Sequence, residues 1–165
     1  MSDNKQVKYD VDGYDAVTSA LRELLNQYPG LSPKEEISFA TLGENSGKSM
    51  FPVSGAVIES QKKTITGKVT EVCLYPFYII YRSGGLNENR RAKVKEWLDT
   101  LGKWLERKSV TIDGNEYLLK ELPPLTDGRK FISIERQTPA HIDTVNENKS
   151  ENWAIHILAR YQYDY

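Results

Sequence analysis

The longest apolar stretch of the chain, residues 69–82 (VTEVCLYPFYIIYR), alternates with period two and is apolar on both faces. Cys73, Tyr75, Phe77, Ile79 and Tyr81 fall on one side; Val72, Leu74, Tyr78 and Ile80 fall on the other. β-Branched and aromatic residues suit a pleated, half-buried surface. Two apolar faces predict a central strand covered on both sides, by helices or by a neighbouring subunit. Pro76 donates no backbone hydrogen bond, so a bulge or an edge is expected there. Ser83, Gly84 and Gly85 break the strand.

Two stretches switch to helical spacing. Tyr14, Val17, Leu21, Leu24, Leu25 and Tyr28 make one apolar face, with Asp12 placed to cap the helix, Asp15 in its first turn and Pro29-Gly30 as its stop. Val94, Trp97, Leu98, Leu101, Trp104 and Leu105 make the second, from a cap at Asn87 to about Lys108. Arg90, Arg91, Lys93 and Lys95 read as a solvated helix face rather than a nucleic-acid patch.

The remaining alternation predicts strands over residues 36–42, 53–60 and 131–137, and a last one over 153–165. In the last, Trp153, Ile155, Ile157, Ala159, Tyr161, Tyr163 and Tyr165 share one face. Asp113-Gly114 marks a hairpin between 110–112 and 115–119, and residues 122–125 (LPPL) a rigid linker. Residues 43–52 (GENSGKSMFP) and 138–152 read as long polar loops, and residues 1–10 as a mobile end. Three strands joined by short connections favour an antiparallel meander. The whole predicts one α+β domain over residues 1–165: a mainly antiparallel sheet with two main helices packed on one face.

Composition narrows the chemistry. A chain of 165 residues buries enough surface to fold without a disulfide or metal. Its one cysteine, Cys73, cannot bridge internally, and no secretory leader or membrane-length apolar run is visible, so a reducing compartment is expected. The net charge of −1 gives no general attraction to nucleic acid. Ten tyrosines and three tryptophans suit either a core or a subunit contact.

Gly43, Gly47, Lys48 and Ser49 imitate a phosphate-binding loop, but only three residues separate the glycines, and Pro52 follows where a helix N-terminus is needed. His141, His156 and Cys73 have no zinc spacing. No catalytic constellation stands out, so neither enzyme activity nor a cofactor is expected. Tyr75, Phe77, Tyr78 and Tyr81 on one sheet suggest base stacking as an alternative, although no basic stripe accompanies them.

Four segments taken together carry a resemblance: residues 28–58 (YPGLSPKEEISFATLGENSGKSMFPVSGAVI), 72–84 (VCLYPFYIIYRSG), 122–140 (LPPLTDGRKFISIERQTPA) and 151–161 (ENWAIHILARY). The chain resembles the small minor capsid proteins of long-tailed bacteriophages of Gram-positive hosts, a group similar to tail terminators. The resemblance implies a virion structural protein at the head–tail junction, assembled in the host bacterial cytoplasm, without cofactor or reaction. It implies a homo-oligomeric, hexameric ring that caps the head-proximal end of the tail tube, meets the tube protein and the head connector, and lets DNA through its lumen without specific binding. No membrane is involved. A different neck or minor capsid protein is the nearest alternative. No residue role carries over, so the sites are read from the residues alone. Tyr161, Tyr163 and Tyr165 are subunit-interface candidates, because three tyrosines exceed what a strand tip needs. Glu44, Lys48, Met50 and Phe51 in one loop, with His141 and Asp143 in the other, are docking candidates for tube or connector.

Overall fold

Two long strands form the spine of the molecule. β4 (Val69–Ser83) and β9 (Glu151–Asp164) pair antiparallel along their length, from Thr70 opposite Asp164 to Ser83 opposite Glu151. Each is flanked by two shorter strands laid end to end. β2 (Gly47–Pro52) and β3 (Val57–Lys63) run along the free side of β4; β7 (Arg129–Arg136) and β8 (His141–Val145) run along the free side of β9. β1 (Ser38–Phe39) adds to β2 and is the one parallel pairing among the described residues. β5 (Val110–Ile112) and β6 (Asn115–Tyr117) form a separate small hairpin. With α1 (Tyr14–Leu25) and α2 (Glu88–Leu105), the fold is α+β with a mostly antiparallel sheet, as expected. The computed structural model describes residues 6–85 and 87–165.

Both helices cover the same face of the sheet. Tyr75 is fully buried there, its hydroxyl 2.7 Å from Thr18 Oγ1 of α1 and its ring stacked on Tyr14. Tyr81 meets Trp97 of α2 edge-on. Gly102 lets α2 cross closely: a Cβ at that position would lie 3.0 Å from Ile155 Cδ1 and nearer still to the Arg136 side chain. Asn87 caps α2 as predicted, accepting the Arg90 N–H at 3.0 Å. Asp12 does not cap α1. Gly13 occupies that position, and its N–H goes instead to the buried Asp10 carboxylate, 3.1 Å away.

Pro76 sits in the middle of the central strand, and the partner change there explains how. The Pro76 carbonyl accepts the Val53 N–H at 3.0 Å, so the backbone of Pro76 faces the β2–β3 side. In an antiparallel ladder a residue's N–H and C=O point the same way. The missing donor therefore faces the bend at 53–56, where β2 has ended and β3 has not begun. The strand stays paired with β9 on its other side, with Pro76 opposite Leu158.

Five expectations change. Residues 47–52, read as loop, are β2: a bare edge on β4 needs a hydrogen-bonding partner, and that need overrides a polar, glycine-rich sequence. The strand expected at 53–60 starts later and ends later, and the one at 36–42 shrinks to two residues. The loop read over 138–152 contains β8 and a tight turn, closed by the Asn146 N–H donating to Ser150 O at 2.8 Å. Of the amino-terminal segment read as mobile, residues 1–5 lie outside the described residues. The next few are placed: Tyr9 bridges Val57, and Asp10 is buried.

Candidate functional site

Residues directly opposite one another on paired strands share a face of the sheet. On the face away from the helices, the register brings together Val72, Leu74, Pro76, Tyr78 and Ile80 of β4 with Leu158 and His156 of β9. Phe51 lies opposite Tyr78, and Val57 opposite Leu74. Four rings cross this open face in one row. Phe51 stacks on Tyr78 with centroids 5.8 Å apart, Tyr78 on His156 at 5.5 Å, and His141 meets His156 at 5.6 Å. All four are half-buried, and no helix among the described residues covers them. Two charged groups near the row are held within the chain: Arg160 lies 3.5 Å from Glu59, although its buried Nε makes no hydrogen bond, and Arg82 donates to Asn152 Oδ1 and to Gly43 O. The face is therefore apolar at its centre and electrostatically quiet at its margin, which suits protein contact better than phosphate contact.

The carboxy-terminal tyrosines are used differently from the way their spacing suggests. Tyr161 is 0% exposed, and its hydroxyl donates to Asp10 Oδ2 at 2.6 Å. Asp10 also takes two hydrogen bonds from Arg129, at 2.9 and 2.8 Å. Burial alone would raise the Asp10 carboxyl, but Arg129, Tyr161 and the Gly13 N–H outweigh it and hold the group below the usual carboxylate range. The Arg129 guanidinium lies 3.8 Å from the Tyr163 ring centre, and Tyr165 donates to Glu71 Oε1 at 2.6 Å. Tyr161 is thus a core residue and offers no surface for a sibling subunit. Tyr163 packs on the same pin, and Tyr165 is 55% exposed but tethered. The pin holds the amino-terminal segment to β7 and β9. Sequence alternation placed Tyr161 on the right face; nothing in it revealed that a charged pair lies beneath.

The two docking segments divide. Glu44 is exposed, and the Glu44 and Asn45 loop meets Asn148, whose Nδ2 donates to Glu44 O at 3.1 Å and to Asn45 Oδ1 at 2.9 Å. The two regions thus interlock at one end of the sheet. Met50 is fully buried in the core and cannot dock anything. Lys48 lies 4.2 Å from the Tyr81 ring centre and 5.2 Å from that of Trp97, and pairs with Glu35. Burial would raise the Glu35 carboxyl, but the Lys48 ammonium and Ser32 bring it down to about 2. Lys48 therefore clamps β2 to the helix layer, its ammonium engaged by Glu35 and the two rings. Phe51 and His141 lie on the open face, and Asp143 occupies a bulge of β8. Missing from the sequence reading was His156 as the middle of the ring row: its neighbours Tyr78 and His141 lie on other strands.

A concavity of about 660 Å³ runs between residues 121–125 and β7. It is lined by Arg107, Glu121, Arg129, Lys130 and apolar side chains, with no serine, threonine, cysteine or histidine among them. Burial pushes the Cys73 thiol up to about 11, so it stays protonated at neutral pH. Among the described residues, no group of three or more His, Cys, Asp or Glu side chains could hold a metal ion, and no helix is long and apolar enough to cross a membrane. No protein-family model and no curated protein matches the chain.

Proposed function

We propose that the chain is a virion structural protein, a ring-forming subunit similar to phage tail terminators. It caps the head-proximal end of the tail tube and joins the tube to the head connector. The resemblance carried by residues 28–58, 72–84, 122–140 and 151–161 points there, and one structural observation supports it most: the apolar, ring-bearing face of the sheet that no part of the described chain covers. A monomer leaving half-buried Leu74, Tyr78 and Leu158 on a broad sheet face is built for contact with another protein. In a hexameric ring, every copy meets two siblings and both adjoining parts of the virion.

The nucleic-acid alternative loses most of its aromatic platform. Tyr75 and Phe77 are fully buried under the helices and Tyr81 packs on Trp97, so Tyr78 alone of the four proposed stacking residues reaches the open face. Electron microscopy of particles made without this protein tests the proposal. Tail tubes of uncontrolled length that fail to join heads are expected; tails of normal length that join heads would overturn it.

A further inference from the structure

Among the described residues β7 has one strand neighbour, β9, and its other edge borders an open slot. The concavity between residues 121–125 and β7 forms the first half of this slot. A second concavity, of about 320 Å³, continues it between residues 105–108 and the rest of β7. Arg107, Leu122 and Ile132 line both, so the slot follows the strand from Arg129 to Arg136. Its first half is largely apolar: Leu122, Pro123, Pro124 and Leu125 on one side, Phe131 and the 49% exposed Ile132 on the other.

The ladder fixes which backbone groups face the slot. The Asp164 N–H donates to Gly128 O and the Gln137 N–H to His156 O, so Gly128 and Gln137 turn toward β9. Alternate residues of an antiparallel strand turn the other way. Counted from the two ends, Arg129, Phe131, Ile134 and Arg136 turn toward the slot, and the bulge between Phe131 and Ser133 absorbs the odd residue. Two of these are already served on that side: the Arg136 N–H donates to Glu106 Oε2 and the Arg129 N–H to Thr126 O. No described residue pairs there with the N–H or C=O of Phe131 or of Ile134. Natural sheets usually blunt such an edge with charge or cover. The segment across the slot cannot pair with it as a strand, because Pro123 and Pro124 have no N–H to give and their fixed φ stiffens the wall.

Charge adds a second feature. Asp10 answers Arg129, and Glu106 answers Arg136. The exposed Glu121 and Glu135 balance Lys130 and Lys108. Arg107 is the cation left over: it is exposed, lines both concavities and makes no ion pair with another described residue. It also sits at φ 61°, just past the end of α2, in the left-handed position that glycine most often fills. We infer that the slot takes an extended strand of a partner protein, added to β7 through the Phe131 and Ile134 backbone, with an acidic side chain set against Arg107. Strand addition draws affinity from main-chain hydrogen bonds and specificity from the places that alternate side chains reach. Here every second side chain of the added strand is apolar and meets Leu122 and Ile132, and the carboxylate neutralises the surplus cation. The inference goes beyond the ring reading and needs no part of it.

A fluorescein-labelled synthetic peptide, SVTVDVTVS, titrated with the full-length chain tests this by anisotropy. Saturable binding is expected, and the same peptide N-methylated at alternate residues on the pairing edge should not bind. Hydrogen exchange followed by NMR should slow at the Phe131 and Ile134 amides when the peptide is bound, and stay as it was along β8, the other free edge beside β9. Arg107→Gly suits the left-handed backbone, so the thermal midpoint should not fall. That variant should bind the peptide roughly fivefold more weakly, the loss expected for a hydrogen bond to a charged group at an exposed site. It should bind a peptide with asparagine in place of the aspartate as well as the original chain does. No binding up to the peptide's solubility limit, or binding that leaves Phe131 and Ile134 exchanging as before, would overturn the site. Equal affinity of the original chain and Arg107→Gly for the acidic peptide would overturn the acidic partner. None of these outcomes bears on tail length, so the ring reading is tested separately.

Discussion

The two faces of the β4–β9 pair are made from the same kinds of residue and put to different uses. Under the helices, Tyr75, Phe77, Ile79, Ile155, Ile157 and Tyr161 are sealed off within two per cent of complete burial. On the other side, Tyr78, Leu74, Leu158 and His156 remain half in water. Tyrosine appears on both. Tyr161 spends its hydroxyl on a buried carboxylate, whereas Tyr78 lies flat between Phe51 and His156. Apolar alternation identifies a strand with two useful faces; only what is packed on each distinguishes a core from a contact surface.

The sharpest way to break this comparison sets one tyrosine against the other. Tyr161→Ala should cost ~3–5 kcal/mol, since it opens a cavity in the closed core and removes a donor from Asp10. Tyr78→Ala, in the same sheet, should cost about 1 kcal/mol, the worth of a cross-strand ring contact. Urea denaturation of both variants measures the difference directly. Equal losses would mean that the open face is as essential to the fold as the helix face.

Gly102→Leu should follow, with a loss of ~1–3 kcal/mol from overpacking where α2 meets Ile155 and Arg136. The thermal midpoint should fall while the open face is untouched, so any association of the folded chain should survive.

The smallest effect is a dependence on acid that belongs to the helix side. The Glu35 carboxyl is held at about 2 against an ordinary 4.5, so its pairing with Lys48 stabilises the fold fully above pH 4.5. That contribution fades as pH falls toward 2, when the folded protein takes up the proton. Glu35→Gln should flatten this part of the stability–pH curve, read from urea midpoints at successive pH values. An unchanged slope would show that the pair is solvent-screened.

Both helices, the central strand and the last strand were legible from periodicity, because each carries a long run of regular spacing. β2 and β8 were not. Gly47, Lys48 and Ser49 have little strand propensity and form a strand because β4 offers an edge to pair with. β8 does carry β-branched Ile142, Thr144 and Val145, but it is only five residues long, has a bulge that breaks its alternation and sits between Pro139 and a polar run. The Asp10–Arg129–Tyr161 pin was invisible for another reason, since its members are 119 and 151 positions apart from Asp10 and only the closed fold unites them. Of the ring row, Phe51 and His141 were singled out as loop residues, but their alignment with Tyr78 and His156 is a product of register.

The order in which the spine is made follows from the pairing of β4 with β9. Thr70 waits for Asp164, and Ser83 for Glu151. At ~5–20 residues per second, a ribosome needs roughly 4–16 s to move from the end of one strand to the end of the other. During that interval the hairpin of β2, β3 and β4 is complete on one side and bare along the whole of its other side. Nascent copies on one messenger are then exposed to each other's unfinished sheets, and the cell must keep them apart until the final strand arrives.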